Sequence, residues 1–205
     1  LALLPDNKLP QVLRWFDEMG TAICEGQQYD IDFESSTTVA ISDYLMMIEK
    51  KTALLLAYSL RIGAYIAGAS EQEQDALFQY GRHIGIAFQI QEDVLDVYGD
   101  PSNFGKAIGG DICCNKKTFL LLTALDIADA ESKASLLQWL ITSNNNTEKI
   151  QAVTALYTQL GVREIGEAVM EDHTAEALAQ LELLPQNDYT NQLRVLAEKL
   201  ATRKR

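Results

Sequence analysis

The chain has 205 residues, 47% of them hydrophobic and 22% charged, which is enough for one sizeable core and excludes a disordered polypeptide. Its formal net charge of −12 at pH 7 argues against nucleic acid or an anionic membrane as the main partner, because both require a positive field. Cys24, Cys113 and Cys114 have neither CxxC spacing nor a Cys/His cluster, which argues against a disulfide framework or a zinc site and for reduced thiols in a cytoplasmic protein.

In chain order, the opening "LALLPDNKLP" lacks an initiator Met and reads as the tail of a helix. The expectation is that this chain is the remainder of a longer protein, without a signal peptide. Pro10 suits a first helical turn. Val12, Phe16, Met19 and Ile23 then recur at spacings of four, three and four, one stripe of an amphipathic helix. "YDIDFESSTT" breaks that period and reads as a polar connection, with Asp32 and Glu34 solvated. Ser42 is the expected N-cap of "DYLMMIEKKTALLLAYSLRIGAYIAGA", a stretch apolar nearly all round and therefore expected to be central. Arg61 interrupts its apolar run, so no stable membrane insertion is expected.

Ser70 and Glu73 form an S-x-x-E capping box for a helix running to about Tyr98. "GDPSNFGKAIGGD" contains four glycines and a proline and must be a loop. Helical patterns resume in "KKTFLLLTALDIA" and "SKASLLQWLIT", and after a "SNNNT" linker they cover roughly 148–160, 163–183 and 188–202. Thr147 is placed to cap the first of these. No strand pattern or repeat is present. The fold class is all-α, one domain over residues 1–205, a bundle with one long connecting loop.

The helix ending at Tyr98 poses a charge problem. With Gln89 as origin and about 100° per residue, Glu92, Asp93 and Asp96 fall with it inside an arc of about 100°. Leu77, Ile84 and Phe88 share or border that side, so it is not simply a solvated face. Two bare carboxylates about 5 Å apart repel by roughly 3 kcal/mol at an effective dielectric of 20, and burial adds to that. Two readings stand at this point. One is a charged helix edge neutralised by salt bridges. The other is an oxygen-only site for a hard cation such as Mg²⁺, bridging to substrate phosphates. Lys106, Lys116 and Lys117 in the glycine-rich span that follows suit a diphosphate clamp, although such loops are often only solvated turns.

Taken as a whole, "GIAFQIQEDVLDVYGDPSNFGKAIGGDICCNKKTFLLLTAL" resembles the second aspartate-rich region of trans-isoprenyl diphosphate synthases, whose pattern there is FQ-x-x-DD-x-x-D, a GK, a G-x-D and a further lysine. "CEGQQYDID" resembles the same family's GQ-x-x-D motif, and "YLMMIEKKTALL" its Y-x-x-x-I-x-x-KT-x-x-L segment. Beyond about residue 130 the agreement is in helical character only. Glu92 stands where the family usually has its first Asp. The family's first DD-x-x-D motif and N-terminal helices do not occur in this chain.

The resemblance implies an isoprenoid-synthase-type helical bundle around a central cavity, lacking those N-terminal helices. It implies a Mg²⁺-dependent prenyltransferase that condenses isopentenyl diphosphate with an allylic diphosphate by ionisation, condensation and elimination. Glu92 is then a Mg²⁺ ligand, with Asp93 and Asp96 as ligands or holders of metal-bound water and Asp111 behind them. Lys51, Lys106 and Lys116 contact the diphosphate. The Lys51 and Thr52 carbonyls and Gln89 face the developing cation, and Gln27 and Asp30 line the same cavity. A homodimer is expected, as is inactivity of the 205 residues alone. Two alternatives remain: a non-catalytic prenyltransferase-like subunit of a hetero-oligomer, and a terpene cyclase, against which the GK and KT motifs argue. His83 and His173 have no Glu three residues before them, so a ferritin-like di-iron site is not expected.

Overall fold

The computed structural model describes residues 4–100, 108–142 and 146–201. Among these residues the regular structure is entirely helical, as expected. Helix α1 spans Leu9–Ser35 and α2 spans Ile41–Ile48. A π-helical turn over Glu49–Ala53 leads directly into α3, Leu54–Ala67. Helix α4 spans Glu71–Tyr98 and is followed, beyond residues 101–107, by the single-turn α5, Gly110–Cys113. The remaining helices are α6 (Phe119–Ile127), α7 (Ala130–Ile141), α8 (Asn146–Gln159), α9 (Val162–Leu181) and α10 (Asp188–Ala201).

Helix α4 is the central element, packed chiefly between α3 and α9 and touching the π-turn, α5, α6 and α10 as well. Its start is the expected capping box. Ser70 Oγ accepts from the Glu73 N–H at 3.3 Å, and Glu73 Oε2 accepts from the Ser70 N–H at 2.7 Å. The second half of α4 joins one apolar cluster through Ile86, Ile90 and Val94, against Tyr44, Met47 and Leu120. The first half joins another with Ala177, Leu181 and Ala197 of α9 and α10. Close approach between α4 and the π-turn depends on Gly85. A Cβ there would lie 2.4 Å from Ala53 Cα, so only hydrogen fits.

Several expectations are corrected. Residues 29–35 are not a connection but the last two turns of α1. Pairs at i,i+4 sustain them: Gln28 donates to Asp32 at 2.7 Å, and the Tyr29 and Phe33 rings meet at 6.1 Å. Ser42 does not cap α2, which begins one residue before it. Asp43 instead reaches back to accept the Ala40 N–H at 3.0 Å. Thr147 likewise lies inside the first turn of α8. In the α1 stripe Val12 is buried, but Phe16 is 56% exposed. Leu55, Leu56 and Ile66 are also exposed, so α3 is a flanking helix and α4 takes the centre. Cys24 and Cys114 are exposed and Cys113 is partly covered, and all three are free thiols.

Candidate active site

The inward acidic face is built as the periodicity requires. Asp93 is 2% exposed, and Gln89, Glu92 and Asp96 are half-buried. Asp93 sits at the N-terminus of α6, where Oδ2 accepts the Phe119 N–H at 3.0 Å, a position the helix dipole favours for a negative charge. The same oxygen accepts the hydroxyl proton of the buried Tyr44 at 2.5 Å. Burial nevertheless pushes the Asp93 carboxyl up to about 6, against the pull of those two hydrogen bonds. Asp96 is also raised, by burial first and by the neighbouring Asp111 carboxylate. Its Oδ2 accepts the Asp111 N–H at 3.0 Å, and its carbonyl accepts the Gly109 N–H at 2.6 Å. The turn carrying Asp111 and Lys116 is thereby held against α4.

Lys116 Nζ lies 3.8 Å from Asp111 Oδ1. Burial pulls its ammonium down, but Asp111, Asp93, Asp30 and Asp96 together push it up, and the net shift is upward. Lys116 thus sits in the negative field of carboxylates from α1, α4 and α5, with Asp111 the one in ion-pair range. From the π-turn, Lys51 Nζ pairs with Asp30 Oδ2 of α1 at 2.6 Å, and Thr52 Oγ1 donates to Gln89 Oε1 of α4 at 3.1 Å. Lys51 and Thr52 belong to the π-turn, in which the Leu54 N–H reaches back five residues to the Glu49 carbonyl. Such bulges interrupt the usual ladder and often mark functional sites. Gly26 of α1 seats this turn; a Cβ there would lie 2.4 Å from the Lys51 nitrogen. Gln27 is exposed beside it.

The structure thus gathers Asp30, Lys51, Thr52, Gln89, Asp93, Asp96, Asp111 and Lys116, with Glu92 on the same face of α4. Lys106 lies outside the described residues. Lys50, next to Lys51 in sequence, instead pairs with Glu25 at 2.6 Å and lies over the Tyr29 ring. Sequence reasoning missed Tyr44 and the π-turn. The tyrosine opening the "YLMMIEKKT" segment was the available signal for the first, and for the second there was none.

The donor set is oxygen-only and rich in carboxylate, and burial raises the pKa of its more enclosed members, Asp93 and Asp96. That chemistry fits a hard divalent cation. Among the described residues no three His, Cys, Asp or Glu side chains converge to hold an ion by themselves, so such an ion would draw further ligands from water and from a bound phosphate.

An all-α bundle with an acidic inward helix facing a lysine-bearing turn defines the isoprenyl-synthase class of helical bundle. The polyprenyl synthetase family model matches residues 1–159, and the chain belongs to that family. It is 37% identical over 176 residues to a short chain isoprenyl diphosphate synthase of Methanothermobacter thermautotrophicus, covering 86% of this chain and 54% of that protein. It is 34% identical over 191 residues to a geranylfarnesyl diphosphate synthase of Natronomonas pharaonis, covering 91% and 54%. Among solved structures, a geranylgeranyl pyrophosphate synthase superposes with a TM-score of 0.90 at 35% identity, covering 98% of this chain and 63% of that one. A geranylgeranyl pyrophosphate synthase of Corynebacterium glutamicum, solved with isoprenyl diphosphate and magnesium, gives a TM-score of 0.88 at 33% identity, covering 97% and 57%. The chain spans about half the length of the curated relatives it matches. No described helix is long and apolar enough to cross a membrane.

Proposed function

We propose that the complete protein is a trans-prenyltransferase of isoprenoid biosynthesis, joining an allylic diphosphate to isopentenyl diphosphate with Mg²⁺. The observation that carries this reading is the inward face of Asp93 and Asp96, with Asp96 accepting the Asp111 N–H at 3.0 Å and so holding the turn in which Lys116 lies 3.8 Å from Asp111, together with the Lys51–Asp30 pair of the π-turn. Magnesium in a neighbour's complex supports the metal. Glu92, Asp96 and Asp111 would hold it, while Asp93, with one oxygen committed to Tyr44 and Phe119, supports them from behind. When bound, Mg²⁺ neutralises charge developing on the departing diphosphate.

Lys51 and Lys116 bind and orient the diphosphate, joined by Lys106. The allylic C–O bond breaks with its electron pair leaving on the diphosphate. The isopentenyl double bond then forms the new C–C bond, and the resulting cation loses a proton. The Lys51 and Thr52 carbonyls and the Gln89 amide oxygen stabilise the allylic cation through their dipoles. A cytoplasmic homodimer accords with the same reading, and apolar side chains exposed along α1, among them Leu13, Phe16 and Ile31, are compatible with it. Since the chain spans about half of its relatives, the 205 residues alone are expected to bind diphosphate but not to turn over.

The test is an assay of the complete protein with Mg²⁺, isopentenyl diphosphate and allylic diphosphates of increasing length, with the products sized. Elongated prenyl diphosphates are expected. Absence of condensation with every allylic partner defeats the proposal.

A further inference from the structure

Behind the acidic face lies a cleft lined by Val97, Asp111, Asn115, Lys116, Lys149 and Tyr157. Lys149, on α8, is 3% exposed, and its Nζ donates to Asn115 Oδ1 at 2.5 Å. Among the described residues its partner is this neutral amide oxygen, and burying an ammonium carries a desolvation cost. A methionine would fill the same space without that penalty, so the lysine must serve something a packing residue would not.

Its partner shows what that is. Asn115 adopts φ 56°, the left-handed region that asparagine enters more readily than most residues. There the chain turns out of α5 towards Lys116. The Asn115 side chain is held at both ends: Oδ1 by Lys149, and Nδ2 by donation to the Leu140 carbonyl of α7 at 3.0 Å. The turn closes with the Lys116 N–H on the Asp111 carbonyl at 3.0 Å, and the two side chains of that pair face each other at 3.8 Å. Fixing Asn115 therefore fixes where Lys116 and Asp111 stand relative to Asp93 and Asp96.

We infer that Lys149 is a positioning residue for the diphosphate site, acting through Asn115 on the Asp111–Lys116 turn. The inference rests on the reading of that site as a metal–diphosphate site. Two variants break the link at different ends. Lys149→Met keeps the volume and removes the charge. Asn115→Gly keeps the left-handed turn and removes the amide. Calorimetry with inorganic pyrophosphate and Mg²⁺ on the complete protein gives the affinity, and urea unfolding gives the stability.

Each variant is expected to weaken Mg²⁺–pyrophosphate binding by roughly tenfold, the size usual for residues that orient a metal site from behind. The double variant is expected to be no weaker than either single one, because both break one chain of contacts. In a Lys116→Met background the effect of Lys149→Met should vanish. Unaltered affinity with a lowered unfolding midpoint would make Lys149 a core staple and overturn the inference. A loss in Lys149→Met that Asn115→Gly does not share would mean direct contact with the ligand, and overturns it too. Should Lys149→Met fail to fold, Asn115→Gly decides alone. No binding by the unaltered protein defeats the site reading itself, and this inference with it.

Discussion

The Tyr44 hydroxyl of α2 donates to Asp93 Oδ2 of α4 at 2.5 Å, across 49 positions of sequence, with both side chains 2% exposed. This bond joins α2, which leads directly into the Lys51–Thr52 turn, to the acidic helix. Tyr44→Phe removes the donor while leaving the ring, and the buried carboxylate loses its side-chain partner. The expected loss of stability is about 1.5–3 kcal/mol, the range for a hydrogen bond to a charged group. It should be read as a lower urea midpoint at unchanged slope, accompanied by reduced turnover of the complete protein.

Gly26 provides a purely steric counterpart. Its missing Cβ would meet the Lys51 nitrogen at 2.4 Å and Lys51 Cα at 2.8 Å. Backbone atoms cannot swing aside as a side chain can, so Gly26→Ala has to push α1 off the π-turn. Overpacking of this kind costs about 1–3 kcal/mol. Because the displaced atoms belong to Lys51, activity should fall further than the same destabilisation produced elsewhere, for example by Ala177→Gly. Paired stability and turnover measurements on the two variants check this.

Lys51 separates charge from fold. Its ion pair with Asp30 is partly solvated, with side-chain exposures of 32% and 19%, so it contributes little to stability. Lys51→Met should leave the unfolding midpoint nearly unchanged. It should lower kcat by about a hundredfold or more, the usual effect of losing one donor to a charge that develops in the transition state. Steady-state kinetics on the complete protein decide it.

His83 of α4 and His173 of α9 meet with their Nδ1 atoms 3.0 Å apart, an arrangement that requires one proton between them. Burial lowers the pKa of both imidazoles. His173 and Arg82 add to the effect on His83, and Arg82 to that on His173, while Glu176 and Glu49 pull both upward and Asp172 adds to that pull on His173. An unfolded histidine titrates near about 6.5. As pH falls through that value the unfolded chain takes up protons that the folded pair refuses, so stability declines. The decline is complete below the folded pKa values. His173→Gln, which keeps a hydrogen-bonding partner and cannot titrate, should make stability less dependent on pH between about 5.5 and 7.5. Urea titrations at both ends of that range measure it.

How much of this was legible in sequence varies with the range of the interactions concerned. Helix α4 was legible from end to end, because its capping box and apolar period are local. The inward placement of Glu92, Asp93 and Asp96 followed from the same period. The end of α1 was misread, because the alternation in "YDIDF" hides i,i+4 pairs that hold the helix to Ser35. The π-turn had no local mark, because it arises where α2 and α3 are pressed against Gly26 and Gly85. Tyr44–Asp93, Lys149–Asn115 and His83–His173 are long-range pairings, 49, 34 and 90 positions apart, and neither spacing nor composition encodes a partner at that distance.

The most direct measurement is calorimetric titration of the complete protein with inorganic pyrophosphate, with and without Mg²⁺, repeated on Glu92→Gln and Asp96→Asn. If the acidic face of α4 and the lysines opposite it close their charge balance through metal and diphosphate, binding should require Mg²⁺. It should then weaken at least tenfold in both variants. Binding that is equally tight without Mg²⁺, or that neither substitution disturbs, would contradict the account.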